Sequence, residues 1–392
     1  MKWENPKTII GPPAEGDKYL RRPEINKLFW HAIANGEHIL FTAPRRVGKS
    51  SVMKDLVQRA PDGVIAIYQN VESDKRSDEF YKRIWTLILN HLNRVDAWKT
   101  RLSTWVSSRR IGEISIEGNI KIENSELSFK QELLELVEEI GKGSDKVVLL
   151  LDEFPDVVNN VRKFEGDDSA IELLHVMRAI RHEAKFKNFS IVLAGSIGLE
   201  HVISSVDRIK LINDLRRLPI EALLESEVDE LLNLILETAT IQLDAGARGH
   251  LKRKVGYWLP FFFQLMIVKC NDIAYGLEQA VVGQQIIDQA FEAVLSENEH
   301  FSDWESRLRI YMSLEDYGYC IGLLTRCAHG NINLLRAFDF SKASIPTTGY
   351  KALIDDVLIK DGYLVLQENR LRFQSTFLEE WWRRRHPAYE ID

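Results

Sequence analysis

Residues 38–53 read HILFTAPRRVGKSSVM, and the order of residue types within them decides the fold. His38, Ile39, Leu40 and Phe41 have the apolar character of a strand, and they lead into a short loop. The loop runs Ala43-Pro44-Arg45-Arg46-Val47-Gly48-Lys49-Ser50 and opens into a helix at Lys49. Its spacing is that of the phosphate-binding loop, G-x-x-x-x-G-K-[ST]. In such a loop, backbone N–H groups converge on phosphate oxygens at a helix N-terminus, where the helix dipole adds about half a positive charge. Gly48 leaves the backbone free to approach the phosphates. Lys49 is placed to reach β- and γ-phosphates, Ser50 to ligand Mg²⁺, and Ser51 to complete the phosphate-binding set. Ala43 stands where the first glycine is usual, and because alanine tolerates positive φ less well, the start of the loop is expected to differ slightly. Val52, Leu56 and Val57 give the following helix an apolar side.

A second half of a nucleotide site follows about 100 residues later, at KVVLLLDEFP, residues 146–155. Five apolar residues in a row suit a strand buried on both faces of a parallel sheet. At its end Asp152 is placed to hold Mg²⁺ through a water, and Glu153 to polarise the attacking water. The stretch FSIVLAGSIG, residues 189–198, gives another strand, and Ser196 after it is a candidate sensor of the γ-phosphate. A serine between glycines serves turn chemistry equally well.

Candidate arginines fall into two groups. Arg45 and Arg46 lie in the loop itself, where they orient it or point to solvent. Arg178, Arg181, Arg216 and Arg217 lie near motifs on the strand-end side. The 216–217 pair, just before the strand-like Leu218-Pro219-Ile220, is the first choice for an arginine finger supplied in trans. The alternative is that all four make structural ion pairs.

The chain has 392 residues, enough for two or three domains, with 45 % hydrophobic and 28 % charged residues. A net charge of −7 gives no general attraction to nucleic acid or anionic lipid. Cys270, Cys320 and Cys327 form no C-x-x-C pair and read as buried thiols of a reducing compartment. The N-terminal MKWENPKTIIGPP lacks the apolar core of a signal peptide, and no apolar run is long enough to span a membrane. A cytoplasmic protein without membrane contact is expected.

Strands alternating with helices from 38 to 220 imply a doubly wound parallel α/β sheet whose ligand sits at the C-terminal edge of the strands. An approach segment, 1–23, precedes a helix from Glu24 to Ala34; in P-loop ATPases an Arg and a Glu at that point often lie near the nucleotide base, and a solvated start of a helix is the equal alternative. Alternation over 111–122, with Gly118-Asn119 able to turn, predicts a β-hairpin inserted in the core. From Pro219 the pattern becomes helical, with helices predicted over 226–238, 245–255 and 260–274 and two more within 283–315. The C-terminal region ends in two short strands, 361–366 and 370–373, and a last helix, the order of a winged helix. Residues 349–392 hold 7 Lys/Arg against 8 Asp/Glu, which does not make a DNA-binding face. The domains expected are a P-loop α/β domain over 1–220, a helical lid over 221–300 and a winged-helix-like domain over 301–392.

With both site halves placed, APRRVGKSS, VVLLLDEFPDVV, LLHVMRAIR, LAGSIGL and GYWLPFFFQL together resemble the archaeal-type ATPases. These belong to the STAND branch of the AAA+ ATPases, with relatives among origin-recognition proteins. DGYLVL…LRFQSTFLEEWWRR is similar to the winged-helix end of that family. The resemblance implies ATP and Mg²⁺ as ligands, with Lys49 and Ser50 on phosphate and metal, Asp152 and Glu153 on metal and water, and Ser196 as sensor. It makes Pro260 a lid proline near the adenine, in place of the sensor arginine of other AAA+ proteins. It further implies a slow, nucleotide-gated switch acting on a protein partner or on self-assembly, often linked to mobile elements or defence. A DNA-binding loader that uses the winged helix is the competing expectation, which the charge balance does not favour.

Overall fold

A computed structural model describes residues 2–108, 112–114, 120–122, 127–195, 203, 209–330 and 332–387. Its centre is a five-stranded sheet with strands in the spatial order Val64–Asn70, Lys146–Asp152, Phe189–Gly195, Ile39–Thr42 and Arg216–Pro219. All neighbouring pairs are parallel. The strands are short apolar runs because both faces are covered. Alternation shows this directly: Phe41, Val148, Leu150, Val192 and Ala194 enter one core, while Leu40, Val147, Leu149, Leu151, Ile191 and Leu193 enter the other. The fold is that of the P-loop AAA+ ATPases.

The second core is closed by helices Ser77–Leu92, Asp96–Ser108, Phe129–Gly141, Phe154–Glu165 and Asp167–His182. Several starts are written locally. Ser128 accepts a hydrogen bond from the Gln131 N–H as an N-cap, and Pro155 occupies the first turn of its helix. The inserted hairpin pairs Gly112–Ile114 with Ile120–Ile122 in antiparallel register, as the alternation predicts.

The first core continues without a break into the C-terminal half. Helices Glu225–Leu236, Ala247–Val255, Pro260–Gly276 and Gln284–Ser296 pack beside the P-loop helix, Lys49–Gln58. Helix Ser302–Tyr311 then leads to Leu314–His329, Leu334–Ser344 and Tyr350–Ala352, the last continuing through wide turns over Leu353–Ile359. Ile332–Asn333, Arg370–Phe373 and Leu364–Gln367 form a three-stranded sheet in that order, and helix Thr376–Arg385 returns to the helices of 225–296. There Phe377 packs 5.0 Å from Phe262 and 4.6 Å from Phe291, ring centre to ring centre, so the helices of 225–296 and the C-terminal region share aromatic packing. The approach segment also packs with these helices: the Lys7 N–H donates to Ile235 O and the Thr240 N–H to Glu4 O. Among the described residues no helix is long and apolar enough to cross a membrane. All three cysteines are free and buried.

Candidate functional site

The strand Ile39–Thr42 delivers the loop to the C-terminal edge of the sheet, where Gly48 turns it into the helix with φ +91°. A side chain there would meet nothing within 4 Å, so the left-handed backbone, and not crowding, demands glycine. Ala43 is buried in the core and is not among the residues of positive φ, which is why alanine fits where glycine is usual. The strain sits at Arg46 instead, a non-glycine residue with φ +66°. Its guanidinium lies 4.4 Å above the Phe261 ring.

The two halves of the motif meet in one buried cluster. Lys49 Nζ lies 3.0 Å from Asp152 Oδ1 and 3.1 Å from Glu153 Oε1. Ser50 Oγ donates to Asp152 Oδ2 at 2.5 Å, and the Tyr68 hydroxyl donates to the same oxygen at 3.0 Å. Burial alone would push the Asp152 carboxyl up, but the Lys49 charge and the bonds from Ser50, Lys49 and Tyr68 outweigh it and hold the group below the usual carboxylate range. Burial likewise works against the Lys49 cation, and Glu153 and Asp152 together hold it above the usual lysine range. Glu153 has φ +56°, a left-handed conformation at the end of the strand. Its own N–H donates to Asp152 Oδ1 at 3.1 Å.

Ser50 and Asp152 offer a hydroxyl and a carboxylate oxygen side by side, the hard donor set that Mg²⁺ takes. Among the described residues no group of three or more His, Cys, Asp or Glu could hold a metal by itself. A metal here would therefore complete its shell with phosphate oxygens and water.

Helix Ser302–Tyr311 brings residues that the sequence reading missed. Arg307 Nη2 lies 3.7 Å from Glu153 Oε2 and 3.9 Å from Asp156 Oδ2. The Tyr311 hydroxyl donates to Asp156 Oδ1, and Arg45 pairs with both the carboxylate and the backbone carbonyl of Asp303. Arg46 lies 3.8 Å from the same carboxylate. Thus Arg45 and Arg46 turn inward to this helix, not to solvent. Tyr68 was missed as well, although its place at the C-terminal half of the strand beside Lys146–Asp152 could have suggested it. Nothing in the sequence around Arg307 sets it apart.

The cleft over the loop is lined on one side by Gly48, Lys49, Ser50, Ser51, Glu153 and Arg307. Opposite them stand Ile9, Tyr19, Leu223, Leu231, Pro260 and Phe261. Pro260 begins the helix Pro260–Gly276, and the Ala14 N–H donates to Ser51 Oγ at 2.8 Å, drawing the approach segment across the cleft. Arg22 also lines it, whereas Glu24 does not.

The remaining candidates lie elsewhere. Ser196 is outside the described residues. Arg216 stands opposite Ile39, at the N-terminal end of its strand and away from the loop, with Nη1 2.5 Å from Glu37 Oε2. Arg217 faces a groove between the sheet edge and the C-terminal region. Arg181 is bound to Asp214 and the carbonyl of Leu211, and Arg178 lies within reach of His182.

Comparison with known proteins bears on the same half of the chain as the motif. Residues 33–203 match the family described as AAA domain. That segment is similar to the AAA domain family over 44 % of the chain. The match spans the P-loop, the Asp152-Glu153 strand end and the strand before Ser196, and it stops short of Arg216, Pro260 and Arg307. Beyond the matched segment the whole fold is similar to the Walker-type ATPase paby2304 of Pyrococcus abyssi, with 16 % identity, 96 % of this chain and 99 % of that chain covered and a TM-score of 0.65. It is also similar to the Aeropyrum pernix ORC2 protein, solved in ADPNP–ADP complexes, at 14 % identity, 98 % and 97 % coverage and a TM-score of 0.52. No curated protein matches the sequence.

Proposed function

We propose that the protein is an ATP-binding and ATP-hydrolysing molecular switch of the AAA+ type, in the STAND branch. In this reading nucleotide state is passed from the AAA domain to the C-terminal region. The observation that carries it is the seating of helix Ser302–Tyr311 on the site: Asp303 holds Arg45 and Arg46 of the loop, while Arg307 holds Glu153. Phosphates entering the loop must compete for those same cations, so nucleotide and helix compete for the same groups.

Lys49 binds the β- and γ-phosphates by charge already present in bound ATP. Ser50 and Asp152 would hold Mg²⁺, which supplies charge neutralisation across the phosphates. Glu153 takes a proton from the attacking water as its oxygen bonds to the γ-phosphorus and the bond to ADP breaks. Ile9, Tyr19, Pro260 and Phe261 give the base an apolar wall. Ser196 at the strand end is our candidate sensor. Arg216 and Arg217 are candidates for an arginine supplied across a subunit boundary, in an assembled form of the switch.

The order helix, strand, helix, helix, strand, strand over 314–373 is that of a winged helix, and we read it as the part that meets a protein partner. Lys351 pairs with Asp355 at 2.6 Å and Lys360 with Asp356 at 2.8 Å, so its third helix offers little net positive charge to DNA. Hydrogen exchange of the 302–311 backbone tests the switch. Exchange that differs between ADP and a non-hydrolysable ATP analogue supports it, and identical exchange in both rules it out.

A further inference from the structure

Glu153 is bridged by two cations from opposite halves of the chain. Lys49 reaches Oε1 at 3.1 Å and Arg307 approaches Oε2 at 3.7 Å. The Arg307 side chain is 12 % exposed, so burial discourages a cation there unless anions surround it. The anions are Glu153 and Asp156, and with burial opposing them they still hold the guanidinium above its ordinary range. Lys49, Glu153 and Arg307 all line one cleft. The carboxylate of Glu153 therefore occupies, between these two cations, the kind of position that a γ-phosphoryl group demands. A guanidinium presents its donors in a planar fork matched to carboxylate and phosphate alike, so the exchange of one for the other needs little movement.

We propose that Arg307 is a catalytic arginine of the ATPase site, supplied in cis by the C-terminal region, which passes from Glu153 to the γ-phosphate when ATP binds. The proposal rests on the reading of the P-loop as the ATP site. Its consequence is twofold. Arg307 stabilises the charge that spreads over the γ-phosphoryl oxygens as the bond to ADP breaks. Its departure also leaves Glu153 able to accept the proton of the attacking water. ADP has no γ-phosphate, so in the ADP state Arg307 stays on Glu153.

Turnover by phosphate release and affinity for mant-ATP and mant-ADP, measured on the full chain, test this. Arg307→Ala should lower kcat by roughly 10²–10³-fold, the cost of one donor to a developing oxyanion. It should lose the preference for mant-ATP over mant-ADP while keeping mant-ADP affinity. Arg307→Lys should recover the preference in part, since it restores a charge without the fork. Tyr311→Phe removes the neighbouring hydroxyl contact of the same helix, so an unchanged ATP preference there excludes a general undocking of the helix as the cause. Mixing Arg307→Ala with Lys49→Ala chains should restore no activity, because each site uses its own arginine. Wild-type turnover and ATP preference in Arg307→Ala, or rescue on mixing, would overturn the proposal. Lys49→Ala alone separates the two levels. If it binds mant-ATP like wild type, the P-loop reading fails and Arg307 falls with it. If it loses binding while Arg307→Ala behaves as wild type, only the role of Arg307 falls.

Discussion

Arg307 and Glu153 stand 3.7 Å apart, joining a helix beyond the lid to the last residue before the helix Phe154–Glu165. Neither residue's neighbours in sequence hint at the other. The contact makes the acid at the strand end answer to two elements at once, the P-loop through Lys49 and the C-terminal region through Arg307. In the switch proposed above, a carboxylate so placed would turn a local change of charge into a choice of position for a whole helix.

Binding and chemistry should separate cleanly between Lys49 and Glu153. Lys49→Ala is expected to lose ATP affinity, because the lysine meets charge already present in the bound nucleotide. Glu153→Gln is expected to keep ATP bound and lose about 10²–10⁴-fold in turnover, the usual cost of a positioned general base. Equilibrium binding and phosphate release on the purified variants check both. Undiminished hydrolysis by Glu153→Gln would assign the base elsewhere.

Asp303→Ala removes the one carboxylate that Arg45 and Arg46 share on helix Ser302–Tyr311. Arg45 is held below the ordinary arginine range, first by burial and then by Arg307, with Asp303 opposing both. Asp303 is itself 46 % exposed, so the loss should be modest, about 1 kcal/mol in urea unfolding. Faster hydrogen exchange across 302–311 without nucleotide is the sharper readout. Exchange as slow as wild type would mean that the arginine contacts do not seat the helix.

Much of this was legible because the phosphate-binding loop is a local device. Its strand, its Gly48 and its helix lie in one stretch, and the Asp152-Glu153 strand end has the apolar run that a buried parallel strand requires. The lid helices and the small C-terminal strands also follow from periodicity and turn residues. Arg307, Asp303 and Asp156 were not legible, since they join the site only when distant elements pack. The helix Phe154–Glu165 was likewise hidden, its apolar positions following straight on from a strand that is apolar throughout. Arg216 drew notice by its place before a strand, and its ion pair with Glu37 depends on a parallel register that sequence alone does not give.

Gly195 closes the strand that leads to Ser196, and a Cβ there would fall 2.3 Å from Pro155 Cδ. The proline ring is fixed in the first turn of its helix and cannot swing aside. Gly195→Ala should thus cost about 1–3 kcal/mol by overpacking and push the strand end away from Glu153. Urea denaturation gives the first quantity and turnover the second. A variant as stable as wild type would show that Pro155 can yield.

His38 sets a pH limit on the sheet. Its Nδ1 accepts the Ile191 N–H at 2.9 Å, and burial, helped by Arg181 and Lys146, pulls the imidazole down to about 4. Unfolded, the group titrates near its ordinary 6.5, so between these values the unfolded chain binds more protons than the native one. The contribution is complete above pH 6.5 and is lost as pH falls toward 4, roughly 3 kcal/mol at full extent. His38→Asn keeps an acceptor for Ile191 without the titration. Its stability, by urea unfolding at pH 7.5, 5.5 and 4.5, should fall less than that of wild type. Parallel curves would remove His38 from the account.

DNA binding by the C-terminal region should be weak for a structural reason besides net charge. Asp356, Lys360 and Asp361, at the end of the helix where a DNA reader would place its contacts, line a groove with Leu40, Pro44, Gly195 and Arg217 of the five-stranded sheet and its loops. The next residue, Gly362, has φ +80°, and a Cβ on it would come 3.1 Å from Pro44 Cβ. That end of the helix is therefore turned toward the chain's own P-loop. Lys351 and Lys360 are in addition matched by Asp355 and Asp356 one helical turn away. Fluorescence anisotropy with a random duplex should give low affinity and a shallow salt slope between 50 and 200 mM, with and without ATP. Asp355→Asn/Asp356→Asn should raise the affinity and steepen the slope, because it exposes two lysines to phosphate. Tight, steeply salt-dependent binding by wild type would instead favour a DNA-binding loader, with the helix swinging clear of Pro44 to reach the duplex.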